Sequence, residues 1–155
     1  MAGMLKVSRL TDYATAILLT LVRHDRVCSA EEVASQLGLE VPTCAKVLKL
    51  LTRAGLLVST RGARGGYQLA RRPEAISVYD VLHAIEGGTA LTECAREDSR
   101  CEWQTDCGQR SAWQHINASI RNTLLNISLA SLQQLAHLPL PGADKSRPDL
   151  SLVIK

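Results

Sequence analysis

Apolar positions along this 155-residue chain recur with two different periods. Over residues 8–24, Leu10, Tyr13, Ala14, Ile17, Leu18 and Leu21 fall three and four apart, which predicts an amphipathic helix. Asp12 lies in its first turn, where a carboxylate suits the helix dipole. Ser29-Ala-Glu-Glu32 has the form of a capping box and opens a second helix, which Gly38 stops after Leu37. Pro42 fits the first turn of a third helix that runs to about Ala54. The pattern then changes. Residues 56–60 form a short run of β-formers, Arg61-Gly-Ala-Arg-Gly-Gly66 is a turn, and residues 67–69 return, predicting a hairpin. Ser77 and Asp80 cap a fourth helix through Ile85, ended by Gly87 and Gly88.

Residues 89–108 show no period and read as a cysteine-bearing loop. From about Gln109 a long helical stripe begins with Trp113, Ile116, Ile120, Leu124 and Ile127. One small domain cannot cover such a stripe, so a second copy of the chain is expected against it. Ser128 caps a last short helix ending near His137. Pro139, Pro141, Gly142 and Pro148 mark a tail expected to be disordered. The organisation predicted is therefore a winged helix-turn-helix over 1–88, a cysteine loop over 89–108, a dimerisation helix with a short final helix over 109–137, and a tail over 138–155. The fold class is mainly α.

Composition adds to this picture in three places. Phe is absent and aromatics are 3 %, so Leu, Val, Ile and Ala must build the core, which favours helices over a β-sandwich. The most apolar stretch, residues 14–22, is too short to cross a bilayer, and no basic segment precedes a cleavable apolar one; a cytoplasmic protein without a membrane partner is expected. Charge is unevenly placed. Residues 1–72 carry 11 Lys and Arg against 5 Asp and Glu, whereas residues 73–110 carry 3 against 8. A basic first half suggests a polyanionic partner.

Helix, helix, helix and hairpin make a winged helix-turn-helix, in which the third helix enters the DNA major groove. Its spacing turns Cys44, Val47, Leu48 and Leu51 toward the core and Thr43, Lys46, Lys49 or Leu50, and Arg53 outward. The outward set offers contacts to base edges and phosphates. Arg61 and Arg64 stand on a slim Gly-rich turn, the kind of loop a minor groove attracts. A solvated helix face or a plain hairpin turn would explain either feature alone; together they favour double-stranded DNA as the partner. No nucleophile–base set is visible, and the Gly-rich turn joins strands rather than a strand to a helix, so no enzyme is expected.

Cys94, Cys101 and Cys107 are spaced C-x6-C-x5-C among Glu93, Arg96, Glu97, Asp98, Arg100 and Glu102. That is not core composition. Three soft thiolates on one loop suit an iron–sulfur cluster or zinc. Cys28 and Cys44 lie apart and read as structural.

Arg9-Leu-Thr-Asp-Tyr13, Ala54-Gly-Leu-Leu-Val58, Arg61-Gly-Ala-Arg-Gly-Gly-Tyr67 and the three cysteines together resemble the Rrf family of bacterial transcription regulators, whose iron–sulfur members include IscR- and NsrR-like proteins. The resemblance covers about residues 4–136. The cysteine loop leading into Gly108-Gln-Arg-Ser-Ala-Trp113 is most similar to regulators of SUF iron–sulfur assembly operons. It implies a homodimer reading a palindromic operator, with a two-iron or four-iron cluster ligated by Cys94, Cys101 and Cys107. The sequence departs from IscR-like members at the fourth ligand, where Arg110 stands three residues after the last cysteine and cannot ligate. Asp12 matches the position from which NsrR-like members supply an oxygen across the dimer, although a helix-dipole role explains it equally; His115 is the next candidate. A cluster-sensing repressor of iron–sulfur assembly genes is the reading this favours. A zinc-stabilised or thiol-redox winged-helix repressor, and an iron–sulfur electron carrier, are the alternatives.

Overall fold

The computed structural model describes residues 7–87 and 110–135. Helix α1 is Arg9–His24, α2 Ala30–Leu37 and α3 Val41–Arg53. Strands β1, Leu57–Thr60, and β2, Gly66–Leu69, follow. A 3-10 turn, Pro73–Ala75, leads to α4, Val78–Glu86, and beyond the undescribed segment come α5, Arg110–Leu125, and α6, Leu129–Leu135.

The local signals act where they were read. The Ser8 hydroxyl accepts from the Thr11 amide at the head of α1. Ser29 and Glu32 make both bonds of a capping box on α2, and Ser77 and Asp80 do the same on α4. Gly38 and Gly87 end α2 and α4 in the left-handed conformation. Two details differ. The first strand begins at Leu57 because the Leu56 amide is still bonded to the Leu51 carbonyl at the end of α3. The 3-10 turn was not anticipated, since three residues display no period.

The core lies where α1, α3 and α4 meet. Ile17, Leu18 and Leu21 of α1 join Cys44, Val47, Leu48 and Leu51 of α3, with Val33, Ile76 and Val81 closing the edges. All ten are buried. Each fully buried aliphatic side chain here contributes about 1.5–3 kcal/mol. The hairpin is antiparallel, with Leu57 opposite Leu69 and Thr60 opposite Gly66. It is not a free flap. Cys28 and Tyr67 exchange both backbone hydrogen bonds, at 2.8 and 3.0 Å, which adds a third short segment beside β2.

The far end of α5 is tied to the same body. The Val78 amide donates to the Ile127 carbonyl and the Leu129 amide to the Ile76 carbonyl, both at 2.8 Å. Leu129 is fully buried in the core, so α6 packs onto the helix-turn-helix body rather than standing apart from it. Along α5, the Arg121 guanidinium lies 5.1 Å from the Tyr79 ring centre, and Tyr79 stacks on His83. Such a contact is worth about 0.5–1 kcal/mol at an exposed site.

Candidate nucleic-acid interface

The register of α3 separates its faces cleanly. Cys44, Val47, Leu48 and Leu51 have no exposed surface, whereas Pro42, Lys46, Lys49 and Arg53 form an exposed stripe at spacings of four, three and four. Thr43 and Leu50 lie on the flank and are half-buried, so Thr43 is less outward than its spacing suggested. Arg61 and Arg64 are exposed on the turn between β1 and β2.

The structure brings three of these cations to one place. Lys49, Arg53 and Arg61 line a cleft of about 450 Å³ between α3 and the hairpin. Ser59, Thr60 and Tyr67 also line it, as does Thr52, whose hydroxyl donates to the Leu48 carbonyl, and among the described residues no carboxylate does. None of the three cations is in an ion pair among the described residues, where Arg26–Glu32, at 3.0 Å, is the pair that forms. Cations with hydroxyl neighbours and no acid suit a phosphodiester backbone. The hydroxyls were not foreseen. Ser59 and Thr60 are ordinary β-formers in sequence, and only the hairpin's closure onto α3 gives them this use. Lys46 and Arg64 do not line the cleft. They flank it, from the α3 stripe and the wing tip.

The other expected site residues are more dispersed. Cys94, Cys101 and Cys107 lie outside the described residues. Asp12 is exposed in the first turn of α1, and its carboxylate makes no hydrogen bond among the described residues. His115 is exposed on α5, and its ring Nδ1 donates to the Ser111 carbonyl at 2.9 Å. Trp113 and Ile116 are 38 % and 44 % exposed. Ile120, Leu124 and Ile127 are half-buried, since α4 covers part of the stripe, and Leu125 is exposed beside it. Cys28 and Cys44 are buried, and burial pushes both thiols above the ordinary cysteine range. Neither is poised as a nucleophile.

A second anchored acid was missed in the sequence. The Glu86 carboxylate accepts from the Thr11 hydroxyl at 2.5 Å and from the Ser8 amide at 3.2 Å. These hydrogen bonds, from Ser8 and Thr11, hold its pKa below the usual range. The last residue of α4 therefore caps the head of α1, next to Asp12. Seventy-eight residues separate Ser8 from Glu86, and no local pattern announces such a pair.

Comparison with known proteins agrees with this architecture. The chain matches the Rrf2 family, described as iron-dependent transcriptional regulators, over residues 7–134. It is 33 % identical to protein rrf2 of Nitratidesulfovibrio vulgaris over 136 residues, covering 86 % of this chain and 91 % of that one. It is 27 % identical to the transcriptional regulator IscR of Aliivibrio salmonicida, covering 77 % and 72 %. Among solved structures, CymR, the global cysteine regulator of B. subtilis, superposes with a TM-score of 0.67 at 26 % identity, covering 85 % of this chain and 98 % of that one. The IscR of T. potens superposes with a TM-score of 0.63 at 29 % identity, covering 91 % and 97 %. These relatives are winged-helix transcription regulators and not enzymes, and the electron-carrier reading falls away. With its helix-turn-helix, wing and α5 within the matched span, the chain belongs to the Rrf2 family of DNA-binding transcriptional regulators.

Proposed function

We propose that this chain acts as a homodimeric repressor of SUF-type iron–sulfur assembly genes, with an iron–sulfur cluster on Cys94, Cys101 and Cys107 as its signal. The observation that carries the reading is the pairing of two exposed surfaces. One is the cation-lined cleft between α3 and the wing. The other is the exposed apolar start of α5, at Trp113 and Ile116, immediately after the cysteine segment. A second copy on that face would bring two α3 helices to one palindromic duplex.

The donor chemistry fits such a group. Three thiolates in a polar segment are soft ligands, and a fourth position is available from Asp12 of the other copy or from His115. Asp12 is exposed and its carboxylate is uncommitted among the described residues. His115 has its Nδ1 held by a carbonyl, the arrangement that orients a ligating imidazole. The bound cluster would supply a centre that is readily lost or oxidised. The chain's own part is mechanical. Asp12 lies on α1, whose Ile17, Leu18 and Leu21 pack in one core with Val47, Leu48 and Leu51 of α3. A pull on the head of α1 is thus felt by the reading helix. Operator half-sites are about 34–36 Å apart, so a small change in helix angle decides whether both halves fit.

A second reading has a specific observation in its favour. The chain also resembles Staphylococcus aureus CymR, solved in an oxidized form, at 26 % identity and a TM-score of 0.61, covering 84 % of this chain and 97 % of that one. A thiol-redox or zinc-stabilised repressor would use the same three cysteines without iron, since Cys28 and Cys44 are buried. Visible and Mössbauer spectra of anaerobically purified protein, with zinc analysis and gel shifts of holo and apo forms, separate the readings. Iron–sulfur absorption lost in Cys101→Ala, with a changed operator affinity, is the expected result. Equal operator affinity for holo protein, apo protein and Cys101→Ala would leave the metal a structural staple and overturn the sensor.

A further inference from the structure

The exposed stripe of α3 begins with an apolar residue. Pro42 heads the series continued by Lys46, Lys49 and Arg53, and Val41 beside it is 40 % exposed. The whole helix contains no Asn, Gln, Asp, Glu or His. It therefore lacks the amides that make paired contacts with adenine and the carboxylates that accept from cytosine, and Thr43, half-buried on the flank, is the one hydroxyl of its first turn. Its arginine, Arg53, is at the opposite end, in the cleft with the wing. Glu40, the N-cap residue, is exposed and makes no capping hydrogen bond; its extended backbone sets it outside the helical register of Pro42, Lys46 and Lys49. Pro42 itself has no amide hydrogen to offer.

In a helix-turn-helix the first residues of the reading helix meet the base edges. Here the two exposed residues that open the helix, Val41 and Pro42, are aliphatic. The apolar group on a major-groove edge is the thymine C5-methyl. We propose that Pro42 and Val41 form a thymine-methyl reader, an inference that rests on the placement of α3 in the major groove. Contact with the methyl removes two apolar surfaces from water at once. Cytosine offers no methyl to this contact, so the tip favours thymine by attraction. Lys46 follows four residues on, about 6 Å along the helix, which is roughly two base-pair steps away. A guanine, which offers two acceptors to a cation, is its natural partner there.

The test begins with duplexes enriched from a random pool by the full chain. Each thymine of the enriched half-site is replaced in turn by uracil, which keeps every hydrogen-bonding group and loses only the methyl. Affinity is read by fluorescence anisotropy at fixed salt. One thymine is expected to show a loss of about fourfold, the worth of one buried methyl-sized group. The same substitution should cost nothing in the Val41→Ala/Pro42→Ala variant, whose helicity is checked by circular dichroism. This coupling is insensitive to a general weakening of the variant, because both duplexes are bound by the same protein. A loss that persists in the variant, or a wild type indifferent to every thymine methyl, overturns the reader. If no sequence is enriched and binding ignores salt, the placement of α3 on DNA fails with it, and that outcome is distinct from the other two.

Discussion

Gly66→Ala probes how the wing is held. Gly66 has φ +153°, outside the range L residues favour, and a Cβ there would stand 2.4 Å from the Cys28 carbonyl oxygen and 2.6 Å from its carbon. Those atoms are backbone and cannot swing aside. Cys28 is held against Tyr67 by two backbone hydrogen bonds, so the alanine must either break them or distort the strand. Two such bonds are worth about 2 kcal/mol together, and an unfavourable backbone conformation adds about 1–2 kcal/mol. The expected loss is about 3–4 kcal/mol. At about 4 °C per kcal/mol, the Tm should fall by roughly 12–16 °C. Gly62→Ala is the control. It shares a positive φ, +112°, but its Cβ would meet nothing within 4 Å, so it should pay only the conformational part, about 1–2 kcal/mol. Urea denaturation followed by circular dichroism gives both values, and amide exchange at Cys28 and Tyr67 shows whether the bridge has opened. Equal destabilisation by the two variants, or protected amides in Gly66→Ala, would refute the argument that the bridge anchors the wing.

Three further outcomes are expected. Arg61→Ala and Lys49→Ala should each weaken duplex binding on all sequences and lower the salt slope by about one, measured by anisotropy across ionic strengths; an unchanged slope would place the backbone elsewhere. Ile116→Glu sets a charge on the exposed start of α5 without touching this chain's own core, and sedimentation should find a monomer with native helicity; an undiminished dimer would mean that α5 packs differently. Glu86 has a lowered pKa from its bonds to Ser8 and Thr11, so its stabilisation is complete above the unfolded carboxylate value and is lost as the pH falls through the folded one. The Tm difference between wild type and Glu86→Gln should accordingly be present at neutral pH and vanish well below pH 4; a difference independent of pH would show that the charge plays no part.

What could be read along the chain depends on neighbours three or four residues apart. The Ser8, Ser29–Glu32 and Ser77–Asp80 caps satisfy helix ends locally, and the faces of α3 follow from a period of 3.6 residues. The glycine-rich turn announced its hairpin for the same reason, and the cations of α3 and the wing could be nominated before any fold was known. The features that assemble the site are of another kind. The Cys28–Tyr67 bridge, the Leu129 side chain in the core and the Glu86–Thr11 bond join residues 39 or more positions apart. Backbone groups and single side chains carry no periodic signature at that range. Thr52, Ser59 and Thr60 became cleft walls only when β1 folded against α3. Part of the α5 stripe proved to be covered by this chain's own α4, which periodicity cannot tell from cover by a second copy, because an apolar face is the same whichever surface removes it from water.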